Sequence, residues 1–364
     1  MFSFFKRKKQ PELTFKQRVV LFWKLFTEGE EDLRSGVKAA DTEKTIAFIN
    51  SVFKQSGIEL AFQMGFNGEK FEFFFSPEGN RNVQFLTRCL IDISPHLEHW
   101  LFYPSKQSSS LERLADIAIQ LSDNNSITPA DTFIYANLDE ERRHFNIKVH
   151  HQSFTQLPEK DRTIISFLLL DEALGEYGTE MFVGKLETTT SRNEGDIDLV
   201  TFRKRVDGYK AEIEFDGEMT PDQLHSLYSI KPEEKSKYAL REDVYVINTS
   251  NIELFENYGK SNLLEKFGAN YIFAVISMSL FDMETFLDQR EEISDKVDLE
   301  MQSANDGFVV GFATGKLNCY MDLIIFDGET SINKLIATLQ KSYPALHGSI
   351  HYIEKEKKDL SYPF

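Results

Sequence analysis

The chain has 364 residues, of which 41% are hydrophobic and 27% charged, as in an ordinary globular protein. Its 58 acidic residues outnumber its 41 Lys and Arg, and the net charge of −17 disfavours binding to the phosphates of nucleic acids. No stretch approaches the roughly 20 apolar residues that span a bilayer, which argues against stable membrane insertion. The two cysteines, Cys89 and Cys319, give neither a disulfide framework nor a CxxC metal motif, so we expect a reducing cytoplasm.

Four consecutive cations in the stretch "FKRKKQ" (5–10) are the local exception to this acidity. We interpret residues 1–12 as a flexible basic terminus, because chain ends are where disorder concentrates. The preceding "MFSFF" is too short for the apolar region of a signal peptide, and the charge follows it rather than precedes it. We therefore expect no signal peptide.

Hydrophobic spacing predicts alternating helices and strands in the first half of the chain. Asn67 and Gly68 lie between two alternating runs, which indicates a β-hairpin, while Pro95 and Gly175 mark the ends of two helices. The predicted helices cover residues 11–26, 41–53, 83–90 and 159–174. The predicted strands cover residues 58–65, 71–77, 99–103, 131–138, 144–151 and 181–187.

A polar, linker-like stretch at 187–196 predicts a boundary between an N-terminal domain (13–190) and a C-terminal domain (191–364). Residues 196–207 fit both a helix and a strand, and we leave them open. The strands predicted beyond this point cover residues 209–215, 243–250, 271–280, 307–314, 317–326 and 348–354. The helices predicted there cover residues 220–230, 262–268, 283–293 and 331–342.

Two stretches have glycine, proline and tyrosine at matching positions, at an offset of 249 residues. They are Ser76–Tyr103 and Ile325–Tyr352. Each has a glycine at its fourth position, a helical apolar face, a proline that ends the helix, and a closing tyrosine. The two stretches share no polar residue that could do chemistry, so we interpret them as equivalent scaffold units and leave duplication open. This interpretation requires Leu86 and Leu335 both to lie in helices.

Candidate chemistry rests on histidines and carboxylates. Zinc sites normally show three or four ligands at recognisable spacing, and no third ligand accompanies any histidine pair, so we predict no metal and no cofactor. These pairs are His96 and His99, His150 and His151, and His347 and His351. Acids at the end of a helix are unfavourable for its dipole, which makes the next group a candidate acid–base site. This acidic group is Asp171, Glu172, Glu176 and Glu180.

Three motifs resemble those of an uncharacterised bacterial protein family, over roughly residues 15–190. They are an FWxxF opening, a Pro-x-Leu-x-x-Trp segment followed by a Lys, and an LxxxLGE turn. In this sequence they fall on Phe22, Trp23 and Phe26, on Pro95, Leu97, Trp100 and Lys106, and on Leu170, Leu174, Gly175 and Glu176. The resemblance implies no particular activity. It agrees with the fold prediction and implies a bacterial cytoplasmic setting.

The sequence thus predicts an α+β fold with two domains, each a mostly antiparallel sheet with helices packed on one face. For function we expect a non-enzymatic intracellular protein that binds another protein, for example as an immunity protein or antitoxin, since acidic surfaces can mask basic toxins. The alternatives are a hydrolase or metal-dependent enzyme with a site of scattered His and Glu residues, and a structural assembly subunit. Oligomeric state stays open. The predicted binding residues are His96, Glu98, His99, Trp100, Glu176 and Tyr177.

Overall fold

The computed structural model describes residues 12–39, 41–122, 125–217, 219–231, 241, 243–256, 264–354, 357 and 359–364. Residues 1–11 of the predicted basic terminus lie outside this part. The helices are α1 (Phe15–Glu28), α2 (Glu30–Lys38), α3 (Thr42–Ser56), α4 (Arg81–Asp92), α5 (Leu111–Asp116), α6 (Glu159–Leu174), α7 (Glu176–Phe182), α8 (Leu199–Glu212), α9 (Ile252–Glu256), α10 (Phe286–Ser303) and α11 (Glu329–Ser342). Together with largely antiparallel sheets, they confirm the predicted α+β class.

The strands pair into four sheets within the described residues, ordered β1-β2-β3, β4-β5, β8-β7-β6-β9 and β10-β11-β13-β14-β12-β15-β16. Their bounds are β1 (Ala61–Phe66), β2 (Phe71–Ser76), β3 (Trp100–Tyr103), β4 (Ile119–Ser122), β5 (Asn125–Ile127), β6 (Phe133–Asp139), β7 (His144–His150), β8 (Val183–Thr189), β9 (Ile197–Asp198), β10 (Ser226–Ser229), β11 (Val244–Thr249), β12 (Asn270–Ser277), β13 (Gly307–Gly315), β14 (Asn318–Ile325), β15 (Gly348–Tyr352) and β16 (Ser361–Pro363).

The chain folds into two compact units that interleave along the sequence. Unit 1 takes the described residues within 12–60, 81–96 and 224–364, and unit 2 takes those within 61–80 and 97–223. This division differs from the boundary predicted at residue 190. The physical reason is α8, whose Leu199 and Phe202 pack into the same core as strands and helices that precede the linker-like stretch.

Unit 1 is built on the seven-stranded sheet, in which all neighbouring strands are antiparallel. One face packs against α10 and α11, through contacts such as those of Met321 and Leu323 with Val297 and Leu335. Helices α1 and α4 contact the opposite face as well. There the ring of Phe15 lies 5.4 Å from that of Phe326, and the ring of Phe85 lies 6.0 Å from that of Phe308.

A buried ion pair lies on this second face of the sheet. Asp322 alternates with Met321 and Leu323 along β14 and therefore points away from the α10–α11 core. Its carboxylate lies 2.6 Å from the Arg241 guanidinium, and both side chains are almost fully buried. Arg241 also stacks 4.0 Å above the ring of Phe273, the residue opposite Asp322 in the sheet. Burial raises the pKa of Asp322 to about 6, against the opposing effect of Arg241.

Unit 2 has its main core between the sheet of β6 to β9 and two helices. Phe145 of β7 packs with apolar residues of α6 and α8, including Leu170 and Phe202. The smaller sheet β1-β2-β3 joins a parallel strand pair to the predicted hairpin. Its core is aromatic, with Trp100 only 3% exposed and its ring 5.2 Å from that of Phe71.

Two predicted elements of the second half are wrong. The strand predicted at 209–215 is instead the end of α8 and the turn after it. Asp198 caps α8 by accepting a hydrogen bond from the Thr201 amide (2.8 Å), and the helical face ending at Tyr209 packs into the core. The helix predicted at 220–230 is a 3-10 turn at Pro221–Gln223 followed by β10, because residues 226–229 pair with β11.

Four helices of the described residues were not predicted, namely α2, α5, α7 and α9, and one predicted helix is shorter than expected. The acidic run after α1 forms the start of α2, where Glu30 and Glu31 lie at the positive end of the helix dipole. The helix predicted at 262–268 is a 3-10 turn at Glu265–Phe267 in its described part. Residues 262 and 263 lie outside the described residues.

The two repeated stretches contain matching elements. Leu86 lies in α4 and Leu335 in α11, so both are helical as the scaffold interpretation requires. Gly79 and Gly328 both have positive φ, at 70° and 53°. The strands that flank each helix differ in pairing: β2 and β3 are parallel neighbours, whereas β12 lies between β14 and β15.

Replacing Asp322 by Asn should destabilise the fold by about 3–5 kcal/mol, because it leaves the Arg241 cation buried without its counter-charge. Urea unfolding of the wild type and of Asp322→Asn measures this loss. Asp288→Asn, an exposed change on α10, is the control. The double variant Arg241→Met, Asp322→Leu should lose less than the single change, since it removes both charges; a single variant as stable as the wild type would contradict the pairing.

Candidate functional site

The predicted residues of the Pro95–Trp100 stretch lie mainly at the surface or in the core. His96 and Glu98 are exposed, and His99 is half-buried. The carbonyl of His99 accepts a hydrogen bond from the Phe71 amide (2.9 Å) at the start of β2. Trp100 is a core residue of the small sheet. This stretch therefore contributes mainly packing and strand pairing.

Glu176 is buried at the other end of β2. Its carboxylate accepts hydrogen bonds from the Ser76 hydroxyl (3.1 Å) and from the Gly79 amide (3.0 Å). Its own amide donates to the carbonyl of Lys106 (3.0 Å). Burial raises the pKa of Glu176, against the lowering effect of the Gly79 amide. His99 thus contacts the start of β2 and Glu176 contacts its end. At 3.3 Å per residue, these two ends of the strand are about 17 Å apart.

Gly175 joins α6 to α7 and is the helix end that the sequence predicts. Its φ of 76° and ψ of 159° form a backbone conformation that other residues avoid. A Cβ at this position would lie 3.0 Å from the Ser108 nitrogen and 3.1 Å from the Lys106 oxygen. The glycine therefore lets the 104–109 segment approach the backbone of the α6–α7 junction.

Other acids at the α6–α7 junction also interact with the 104–109 segment. Glu172 accepts a hydrogen bond from the Ser109 hydroxyl (2.9 Å) and forms an ion pair with Lys106. Burial raises the pKa of Asp171 to about 6, against opposing effects of the Thr179 hydroxyl and Lys106. The predicted acidic group thus divides into members with different environments, because each faces a different neighbour at the end of α6.

A cavity of about 280 Å³ opens beside this junction, and we call it the junction cavity. Tyr177 is the predicted binding residue that lines it. One side of the cavity is the 104–108 segment, and the other combines apolar side chains with glycines, Tyr177 and Thr220. The apolar lining comprises Leu174, Met181, Phe182, Phe215 and Met219. Lys210 of α8 adds an amine to the wall.

Sequence reasoning missed Ser105, Lys210 and Phe215 as lining residues. Lys210 and Phe215 were assigned to a strand that does not form, and Ser105 has no motif of its own. Each lies far along the chain from the α6–α7 junction or on a different element. The acids near Gly175 were the sequence signal that pointed to this region.

The outer face of α6 is a second unusual surface. Ile164, Phe167 and Leu168 are 48%, 44% and 42% exposed. They lie at i, i+3 and i+4 and so share one face, which we call the outer stripe. The inner residues Ile165 and Leu169 are buried in the unit 2 core. Helix α6 is therefore apolar on both sides.

Of the other histidines in the predicted pairs, His150, His151 and His351 have local structural contacts. His150 lies within hydrogen-bonding distance of the Thr189 carbonyl (3.2 Å), and His151 accepts from the Ser153 amide (3.1 Å). His351 stacks on Phe273, and His347 is exposed before β15 begins. In the part of the chain that the structure describes, no group of three or more His, Cys, Asp or Glu residues could hold a metal ion.

Comparison of the chain with protein-family models, with curated proteins and with solved structures gives no match. Function is therefore inferred from the geometry and chemistry of the molecule itself. Across the described residues, no helix has both the length and the apolar character needed to cross a membrane.

Replacing Glu176 by Ala should destabilise the protein by about 1–3 kcal/mol, since it leaves the half-buried Ser76 hydroxyl and the Gly79 amide without their acceptor. Glu176→Gln should cost less, because the amide oxygen still accepts from Gly79. Urea unfolding measures both, with the exposed change Glu212→Ala as control. Equal stability of wild type and Glu176→Ala would show that these contacts contribute nothing.

Asp171 should make stability depend on pH. The pKa of Asp171 rises from 3.8 in the unfolded chain to about 6 in the folded protein. Its contribution to the free energy of unfolding is therefore complete below pH 3.8 and is lost as the pH rises through about 6. Relative to the wild type, Asp171→Asn should therefore gain up to about 3 kcal/mol of unfolding free energy between about pH 4 and about pH 8. Unfolding at both pH values tests this, with exposed Asp161→Asn as control; an identical difference at both pH values would contradict it.

Proposed function

We propose that this chain is a non-enzymatic cytoplasmic protein that binds a basic protein partner through the outer stripe of α6. The single observation that carries the proposal is the exposure of Ile164, Phe167 and Leu168 on one helix face. A surface helix of a globular protein normally presents polar residues to water on that side. An exposed apolar cluster on a rigid helix is a feature of protein-interaction surfaces.

The rigidity of α6 supports this use of its outer face. Sixteen residues long, the helix is anchored by Ile165, Leu169 and Leu170 in the unit 2 core. The outer stripe is therefore presented in a fixed geometry, which lowers the entropy lost on binding. Residues at i, i+3 and i+4 are also the anchors that a helix uses in a groove.

Charge favours a basic partner over a second copy of this chain. Two chains that each carry a net charge of −17 repel each other, whereas a basic protein is attracted. At the start of α6, exposed Asp161 would lie at the rim of the interface, beside exposed Lys160. An immunity or antitoxin-like protein that masks a basic toxin is the concrete form of this proposal.

The cytoplasmic setting is supported by the cysteines. Cys89 and Cys319 are both buried free thiols. Burial raises the pKa of each thiol, which favours an inert structural role over a nucleophilic one. Two unpaired cysteines fit a reducing compartment better than an oxidising one.

The enzyme alternative has less support from the acids at the α6–α7 junction. Both oxygens of Glu176 already accept hydrogen bonds, one from the Ser76 hydroxyl at the end of β2 and one from the Gly79 amide in the turn after it, which favours a structural role for this carboxylate over a catalytic one. The alternative of an assembly subunit would use a sheet edge such as β10, which is only four residues long.

Two synthetic helical peptides test the proposal. They share one apolar face and differ only in a lysine-rich or glutamate-rich polar face. The wild-type chain should bind the lysine peptide, and the variant Phe167→Ser, Leu168→Ser should weaken this binding by about tenfold, the loss expected for removing central apolar anchors. Fluorescence anisotropy measures the affinities.

The control is Leu287→Ser, Leu299→Ser, which removes two exposed leucines from α10 (60% and 65% exposed) without changing charge. This variant should bind like the wild type. Wild-type affinity in both variants would mean that charge alone drives binding, and equal losses in both would mean that any exposed apolar residue serves; either result would overturn the proposal. Sedimentation that reveals a dimer, lost in the α6 variant, would instead assign the outer stripe to self-association and would also overturn it.

A further inference from the structure

We propose that the junction cavity binds a small organic monoanion: a carboxylate with an apolar chain, its charge on Lys210 and its chain on the apolar wall. This site is separate from the outer stripe and does not depend on the partner proposed above. The inference rests on the charges that line the cavity, on an unsatisfied buried hydroxyl and on the size of the space.

The lining is cationic although the chain as a whole is strongly acidic. Among the described lining residues, Lys106 and Lys210 are charged, and none is Asp or Glu. Lys106 is neutralised by its ion pair with Glu172. Lys210 is left with the surplus positive charge, because the nearby Asp207 is already paired with Arg203 (2.6 Å). One cationic charge in the wall matches a monoanion.

The environment of Lys210 makes a bound anion favourable. Its amine lies 4.8 Å from the centre of the Phe182 ring and is half-buried. The half-buried ammonium is less well solvated than an exposed one, and this burial lowers the pKa of Lys210 against the opposing effect of Asp207. A carboxylate in the cavity would replace the missing water with a charge-assisted hydrogen bond.

Ser105 supplies a second, independent indication. This residue lines the cavity and is only 1% exposed. Its hydroxyl has no hydrogen-bond partner among the described residues. A buried hydroxyl without a partner costs free energy, so such groups usually meet a ligand or an ordered water. A carboxylate oxygen is an acceptor that this hydroxyl could satisfy.

The apolar wall and the volume define the rest of the ligand. Met181, Phe182 and Phe215 offer a surface for a hydrocarbon chain or ring. A volume of about 280 Å³ is at the small end for ligand pockets. At roughly 30 Å³ for each water-sized group, it holds on the order of nine such groups. Hexanoate and benzoate have this size, whereas long-chain fatty acids exceed it.

Three ligands with the same chain test the charge preference: hexanoate, 1-hexanol and hexylammonium. Ligand-observed NMR titration of the full chain should give the tightest binding for hexanoate and none for hexylammonium. This comparison uses the wild-type protein and so does not depend on any variant that fails to fold. Hexylammonium binding as tight as hexanoate binding would overturn the proposal.

Single variants then test whether the Lys210 ammonium is the charge that binds hexanoate. Lys210→Met should weaken hexanoate binding by about tenfold, the scale of one charge-assisted contact, and leave hexanol binding unchanged. Lys204→Met, an exposed change on the same helix, should alter neither. Ser105→Ala should weaken hexanoate binding less than Lys210→Met does. Unchanged hexanoate affinity in Lys210→Met would exclude this site, even if the peptide experiment on α6 succeeds.

Discussion

A charge inside a protein must be paired or hydrogen-bonded, and this constraint organises both compact units. In unit 1, Asp322 lies in the middle of a buried strand and is held by Arg241, which itself stacks on Phe273. In unit 2, the carboxylate of Glu176 takes donors from Ser76 and from the turn after it. An unpaired charge at either place would cost several kcal/mol, which is a large part of a typical folding free energy.

The pairing of Glu176 also shapes the surface around it. Because its amide binds the Lys106 carbonyl, and because Gly175 has no side chain, the 104–109 segment packs directly on the end of α6. That packing brings a loop with hydroxyls and a lysine opposite the apolar side of α7. The junction cavity is the space left between them. A structural contact and a binding surface therefore depend on the same backbone.

Helix α6 connects these features. Its inner side fills the core of unit 2, its outer stripe is exposed, and its end carries the acids that hold the 104–109 segment. The sequence places apolar residues all round the helix, and a helix of that kind is normally buried on every side. The outer stripe is the apolar side of α6 that is left exposed to solvent when the chain folds.

The sequence by itself determined the elements whose signals are local. The Asn67-Gly68 hairpin, the end of α6 at Gly175 and the buried strand Asn270–Ser277 follow from turn chemistry and hydrophobic spacing within a few residues. The unusual acids before and after Gly175 also directed attention to the candidate site. Local signals fail where two periods fit, as at 209–215, where alternating apolar residues suggested a strand but the core required a helix.

Only the tertiary structure decided which distant segments meet. Ser76 and Glu176 are 100 residues apart in sequence, and neither residue type predicts the other as its partner. The interleaving of the two units, the pairing of Asp322 and the exposure of the α6 stripe are likewise outcomes of packing. The physical reason is the sequence separation over which each effect acts. Helix propensity and capping act over a few residues, whereas burial and charge pairing depend on distant segments that come together only in the folded chain.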